Sequence, residues 1–192
     1  MTVAMPNHIK EKIRDKIIKF ADLPKLRRKL QGKKIVFTAG GFDLIHVGHT
    51  RYLSETKVCG DILIVGVSSN AEIKMLKGVD RPIVDESARA EMIASLMVVD
   101  YVFIMPPINA VVSSIETLKP NILIVPDDDW NTGYKDSPEA KVMAGFEGEV
   151  LLVKRQGPYI SSSGMIEKAA AVMIRTNFQR FFTPEMMREL KG

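Results

Sequence analysis

The chain has 192 residues, room for one domain of ordinary size or one domain with a small appendage. Apolar residues make up 46 % and charged residues 26 %, enough to bury a core without disulfides or a structural metal. A single cysteine, Cys59, excludes an intramolecular disulfide and a cysteine-rich zinc site. The longest apolar run is about six residues, so no membrane span is predicted, and the absence of an apolar signal core at the N-terminus predicts a cytoplasmic protein. The net charge of +4 is unevenly divided: residues 1–34 carry 11 Lys/Arg against 3 Asp/Glu, whereas residues 35–192 carry 16 against 20. The basicity therefore belongs to an N-terminal arm. This argues against a nucleic-acid partner, since such proteins more often carry their positive face on the folded domain.

In the arm, Ile9, Ile13, Ile17 and Phe20 recur at helical spacing, and Asp22 is placed to cap a second short helix carrying Leu23, Leu26 and Leu30. These stripes read as surface helices docked on the domain, with a basic amphipathic helix on a membrane or acidic partner as the alternative. Beyond Lys33, strands are expected at Lys34–Thr38, Ile62–Ser68, Tyr101–Ile104, Asn121–Val125 and Glu149–Lys154. Helices are expected at about 48–59, 86–97, 108–119 and 163–176. Strands with so little polar alternation are buried on both faces. The fold class is therefore α/β: a Rossmann-like parallel five-stranded sheet with helices on both faces. It would comprise a basic helical arm (1–32), a main domain (33–175) and a C-terminal helical tail (176–192). The stretch 126–148 reads as loop with at most one short helix, and Phe178, Phe181 and Phe182 in the tail form a cluster able to pack between subunits.

Ligands of such sheets bind at the carboxyl ends of the strands, where the strand order reverses. The first Ile/Val strand of the domain runs into Thr38-Ala39-Gly40-Gly41-Phe42-Asp43-Leu44-Ile45-His46-Val47-Gly48-His49. The glycines let the backbone approach a bulky anion, and the N-terminus of the following helix favours negative charge. Two of the chain's three histidines lie in this run, three residues apart on one side of the first helical turn. There they can donate to a polyphosphate and spread the charge that builds during phosphoryl-type transfer. Two other readings stand beside this one: both histidines capping the turn, or His46, His49 and Asp43 ligating a metal without an evident fourth ligand. A dehydrogenase-type dinucleotide site needs Gly-x-Gly-x-x-Gly, and Gly40, Gly41 and Gly48 have the wrong spacing.

The run Gly41–His49 resembles the His-x-Gly-His signature of the cytidylyltransferase-like nucleotidyltransferases. Lys33–Phe37, Gly60-Asp61, Leu76-Lys77-Gly78 with Arg81-Pro82-Ile83, and Val99-Asp100-Tyr101-Val102 extend the likeness over about residues 22–170. As a set they are similar to the adenylyltransferase domains of bacterial ADP-heptose synthases and to the glycerol-3-phosphate cytidylyltransferases. The resemblance implies transfer of a nucleoside monophosphate from a nucleoside triphosphate, ATP ahead of CTP, to a phosphorylated sugar or polyol with release of pyrophosphate. Mg²⁺ would arrive with the nucleotide, with no metal ligands from the protein. It implies catalytic roles for His46, His49, Lys77 in a loop after the second strand, and Arg89 as the holder of a phosphate group. Ala39, Gly40, Gly41, Phe42, Asp43, Gly48, Asp128, Asp129, Ile160, Ser161, Ser162 and Ser163 would line the nucleotide, and Arg81 and Arg155 the acceptor. It also implies a homodimer with no membrane or nucleic-acid partner. The chain departs from the family at Asp127-Asp128-Asp129-Trp130, which begins with a carboxylate where the relatives have glycine, and at Gly157-Pro158-Tyr159-Ile160, about two residues longer than in the heptose enzymes. That leaves open a CTP-dependent glycerol-phosphate-type enzyme and a non-catalytic nucleotide-binding regulator.

Overall fold

In the computed structural model each of the five Ile/Val-rich runs forms a strand. It describes residues 7–127, 134–154 and 161–181, the side chains of 9, 135 and 177–181 excepted. In chain order the elements are α1 (Asn7–Lys16), β1 (Ile17–Ile18), α2 (Leu23–Lys29), β2 (Ile35–Gly40), α3 (Val47–Lys57), β3 (Ile62–Val67), α4 (Asn70–Lys77) and α5 (Glu86–Ala94). They continue with β4 (Tyr101–Ile104), α6 (Ala110–Leu118), β5 (Ile122–Pro126), α7 (Pro138–Ala144), β6 (Glu149–Val153) and α8 (Ser162–Phe181). The strands pair in parallel in the order β1-β4-β3-β2-β5-β6. From β2 the chain moves outward through β3 to β4, then restarts on the other side of β2 with β5 and β6. The crevice of an open α/β sheet therefore lies beyond the carboxyl ends of β2 and β5.

Alternation along the strands divides the core in two, since successive strand residues face opposite sides. Ile35, Phe37, Ile64, Phe103 and Leu123 pack with Leu23, Leu26 and Leu30 of the α2 region, Ile115 and Leu118 of α6, and Met143 of α7. Val36, Leu63, Val65, Val102 and Ile124 pack with Tyr52 and Leu53 of α3 and Ala90, Ile93 and Ala94 of α5.

Three expectations are corrected. The sheet has six strands, not five, because Ile17 and Ile18 leave the arm's helical stripe and pair with Val102 and Phe103. As a strand, the two β-branched side chains reach opposite core layers: Ile17 packs against one and Ile18 against the other. Adjacent helical positions stand only about 100° apart and do not achieve this. Asp22 makes no side-chain cap to α2, which is entered through a 3₁₀ turn, Phe20–Asp22, with a proline in its first turn. Lys77, expected in a loop after the second strand of the domain, is the last residue of a helix, α4. Within 134–148, α7 is the one α-helix, and α8 runs continuously through residue 176, where the tail was expected to begin. Among the described residues no helix is long and apolar enough to cross a membrane.

Candidate active site

His46 is the N-cap of α3, with an extended backbone (φ −146°, ψ 172°). Its Nδ1 accepts the Gly48 N–H at 3.1 Å, and the Nδ1 of His49 accepts the His46 N–H at 3.3 Å. A ring nitrogen that accepts carries no proton, so each neutral imidazole holds its proton on Nε2, across the ring. The capping reading and the phosphate-donor reading are thus compatible: the cap selects the tautomer that leaves Nε2–H as the donor. The two ring centroids stand 3.9 Å apart, and the Phe42 ring meets His49 edge-on at 5.4 Å. The pair is built on the N-terminus of an eleven-residue helix, whose backbone N–H groups and dipole add to the attraction for an anion.

Phe42 and Gly40 shape the turn that delivers the pair. Phe42 is buried in the left-handed region (φ 47°), an uncommon conformation for a non-glycine residue. A Cβ at Gly40 would stand 3.2 Å from the Phe42 ring. The room expected for a bulky anion at this glycine is therefore occupied by the aromatic ring that abuts His49. Ala39 and Gly41 are half-buried beside it, and Gly48 is engaged through its N–H with His46.

Asp43, expected to line the nucleotide, is 3 % exposed and faces the protein. Its Oδ1 accepts from the Ile83 and Val84 N–H groups at 2.8 and 2.9 Å, and its Oδ2 accepts from Arg81 Nε at 2.8 Å. Arg81 Nη2 lies 2.5 Å from the same oxygen. Burial pushes the Asp43 carboxyl up, but the Val84 and Ile83 donors and Arg81 outweigh it and hold it below its ordinary 3.8. Asp43 is thus a latch that fastens residues 81–84 to the histidine loop. It pairs with the residue expected to bind the acceptor.

Arg89, expected to hold a phosphate group, is fully buried. Its Nε donates to Val84 O at 2.8 Å, Nη1 to Gly41 O at 2.5 Å and Nη2 to Asn70 Oδ1 at 2.9 Å. Burial pulls its pKa down, while the nearby carboxylates of Asp43, Glu86, Asp85 and Glu72 pull it back up. Arg89 is a positioning residue that ties the histidine loop to α4 and to residue 84. Asp85 caps α5, and its bonds from the Ser87 hydroxyl, the Ser87 N–H and the Asn70 amide hold its pKa at about 2. Asn70 and its neighbours Ser68, Ser69 and Glu72 went unread in the sequence. The signal was present, because Ser69-Asn70-Ala71-Glu72 has the Ser-x-x-Glu form of a helix start, and Ser69 Oγ accepts the Glu72 N–H.

Behind the histidines, the Thr38 and Tyr52 hydroxyls share a 2.7 Å hydrogen bond and stand 2.9 and 3.1 Å from Ile124 O; whichever does not donate to the other donates to that carbonyl, fastening α3 to β5. The N-terminus of α8 joins the same loop: Ser162 Oγ donates to Leu44 O at 3.1 Å, and Ser161 Oγ accepts the Gly164 N–H. Ser163 is exposed on the first turn, and Lys77 is exposed at the end of α4. Asp128, Asp129, Trp130, Arg155, Ile160 and Phe182 lie outside the described residues, as do the side chains of Phe178 and Phe181. Among the described residues no three carboxylate, imidazole or thiol groups gather to hold a metal ion. His46, His49 and Asp43, a metal set suggested by the sequence, instead bond to backbone and to Arg81.

The model of the cytidylyltransferase-like family matches residues 37–168, and the chain belongs to that family of nucleotidyltransferase enzymes. The chain is 44 % identical over 150 residues to the bifunctional protein HldE of Helicobacter pylori, covering 78 % of this chain and 31 % of that one. It is 48 % identical over 125 residues to HldE of Geobacter metallireducens, covering 65 % of this chain and 25 % of the relative. The chain thus spans about a third or less of the length of these relatives. Among solved structures, a lipopolysaccharide core biosynthesis protein from Thermoplasma volcanium matches over 66 % of this chain and all of its own (TM-score 0.57, 28 % identity). A pantoate-beta-alanine ligase from Francisella tularensis shares the fold at 14 % identity (TM-score 0.54, 78 % of this chain and 72 % of that one).

Proposed function

We propose that the chain transfers a nucleoside monophosphate, AMP first, from a nucleoside triphosphate to a sugar or polyol phosphate. The observation that carries this reading is the His46–His49 pair at the N-terminus of α3, with both Nδ1 atoms held by backbone N–H groups. A phosphate oxygen of the acceptor attacks the α-phosphorus in line. The new P–O bond forms as the bond from the α-phosphorus to the bridging oxygen breaks, and the electron pair leaves with pyrophosphate. No covalent enzyme intermediate is required. The two Nε2–H donors and the α3 N-terminus stabilise the charge that shifts onto the leaving phosphates. Lys77, exposed at the end of α4, adds a cation from the rim. Mg²⁺ enters as part of the triphosphate substrate and neutralises its charge.

The choice of ATP and a sugar phosphate rests on likeness to the HldE proteins. The exposed Val172, Met173 and Ile174 of α8 support association of two copies, which sedimentation checks. Thermal unfolding with Mg²⁺ and each of ATP, CTP, GTP and UTP tests the reading, followed by pyrophosphate release with phosphorylated acceptors. A nucleotide at about 100 times its Kd adds roughly 2.7 kcal/mol of stability. A shift with one nucleotide and pyrophosphate release with a sugar phosphate is the expected result. Binding without release for any acceptor favours the non-catalytic regulator, and no shift with any nucleotide refutes both.

A further inference from the structure

Asn70, the first residue of α4, meets α5 and its capping residue with its backbone N–H and with both ends of its side-chain amide. The N–H donates to Glu86 Oε2 at 2.5 Å, Nδ2 donates to Asp85 Oδ2 at 2.7 Å, and Oδ1 accepts from Arg89 Nη2 at 2.9 Å. A carboxylate only accepts and a guanidinium only donates, so the amide fits between Asp85 and Arg89 one way round. Arg89 in turn makes two bonds to backbone carbonyls, Val84 O and Gly41 O, and one to a side chain, Asn70 Oδ1. The backbone acceptors come with any sequence. The third depends on the residue at position 70, and Arg89 is fully buried, away from solvent that could replace it. Ile73, three residues on and on the same face of α4, addresses the same target: its Cδ1 lies 3.3 Å from where a Cβ on Gly41 would stand. Gly41 is therefore held twice from α4, at its carbonyl through Asn70 and Arg89 and at its Cα through Ile73.

We infer that Asn70 is a positioning residue of the transferase: it fixes the Arg89 guanidinium, which fixes the Gly41 carbonyl and, through Phe42, the ring of His49. This deepens the nucleotidyltransferase reading and rests on it. Each link is a contact. Arg89 Nη1 donates to Gly41 O at 2.5 Å. The next residue, Phe42, is buried in the left-handed region, so the place of its ring follows from the conformation of that turn. The Phe42 ring meets His49 edge-on at 5.4 Å, and the His49 and His46 ring centroids stand 3.9 Å apart. With the acceptor at position 70 removed, the guanidinium is left with a buried, unpaired donor, and turning to pair it draws Nη1 off Gly41 O. The turn then relaxes, and the imidazoles lose their alignment with the charge that builds on the leaving phosphates. A misplacement of about 1 Å can cost about a hundredfold in rate, so even a partial shift is measurable. The backbone N–H groups at the start of α3 still attract the bound triphosphate, so the loss falls on kcat and not on KM.

The test reads pyrophosphate release and the histidine rings of the full chain in parallel. The chain has three histidines, His8, His46 and His49, so their ring signals in a ¹H–¹⁵N NMR spectrum can be followed one by one. Asn70→Ala should lower kcat about tenfold or more, leave the KM of Mg-ATP or Mg-CTP within about twofold, and shift the His46 and His49 signals but not that of His8. Asn70→Asp keeps an acceptor for Arg89 and loses only the donor to Asp85. It should bring kcat to within about threefold of wild type and return both signals, whatever it does to the unfolding midpoint. A residue that merely joined α4 to α5 would lower the midpoint in both variants and leave kcat and the ring signals in place. Unmoved ring signals in Asn70→Ala overturn the inference, as does a kcat within about twofold of wild type, a rise in nucleotide KM that accounts for the loss, or an Asn70→Asp variant that fails to recover. Should Asn70→Ala not fold, Asn70→Gln takes its place, since it keeps both polar groups but carries them one methylene away, and the same outcomes decide. If the wild type releases no pyrophosphate with any pairing of nucleotide and phosphorylated acceptor, the transferase reading falls, while the ring signals of the variants still decide this one.

Discussion

Asp43→Asn tests how the histidine loop is fastened. The carboxylate and its partner Arg81 have side chains only 2 % and 12 % exposed, so the pair has little help from solvent. An asparagine keeps one oxygen for the Ile83 and Val84 N–H groups but turns an amide N–H₂ toward the guanidinium. Removing one partner of such a pair leaves an uncompensated buried charge and costs about 3–5 kcal/mol. With an unfolding entropy of roughly 2.1 cal/mol/K per residue, a chain of this length should lose about 7–12 °C in its midpoint. The assay is thermal unfolding followed by circular dichroism, repeated between pH 7 and pH 4. Because the folded carboxyl titrates below the unfolded value, its stabilisation is present above that value and is lost only as pH falls through the folded one. The gap between wild type and Asp43→Asn should therefore stay constant from pH 7 to about 4.5 and narrow only in more acid solution. A gap under about 1 kcal/mol, or one that already halves by about pH 5.5, would refute the latch.

Five further substitutions, at four positions, probe the other layers of the molecule. His46→Ala and His49→Ala should each lower turnover at least about a hundredfold and also cost roughly 1 kcal/mol of stability as the α3 cap is lost. His46→Asn should restore the stability but not the turnover, and equal recovery of both would reduce His46 to a cap. Gly66→Ala places a Cβ 2.7 Å from Met105 Sδ and 3.1 Å from Phe37, so the overpacked strand should lose about 1–3 kcal/mol in urea unfolding. Leu23→Ala should cost about 2–5 kcal/mol, since Leu23 is fully buried in the core shared with Phe37 and Phe103. An effect below about 0.5 kcal/mol would show that the arm is an appendage rather than part of the core.

The parallel sheet was legible because its five longer strands are short apolar runs rich in Ile, Val and Leu that alternate with helix-like stretches. The histidine pair was legible because a turn glycine, a helix start and two imidazoles fall within a few residues. β1 was not, because two isoleucines are too few for a period and their neighbours Ile13 and Phe20 fit a helix equally well. Pairing with β4 decides that case, through backbone hydrogen bonds that no local pattern predicts. The capping role of the histidines was one of three open readings. Only the positions of the Gly48 and His46 N–H groups made it compatible with phosphate contact.

The cations divide in the same way. Sequence placed Arg89 as the holder of a phosphate group and Arg81 at the acceptor, and a motif records a charge but not what surrounds it. The fold buries Arg89 beneath the loop and sets Arg81 against Asp43, 38 positions away in the chain. Local chemistry along the chain was therefore enough to specify the α/β class and the anion-favouring turn, while the enzyme family was read from the resemblance of its motifs. Which charges face a ligand and which hold the loop in place depended on contacts between β2, α4 and α5. These form only when the sheet brings distant segments together, because burial and pairing are properties of the packed structure.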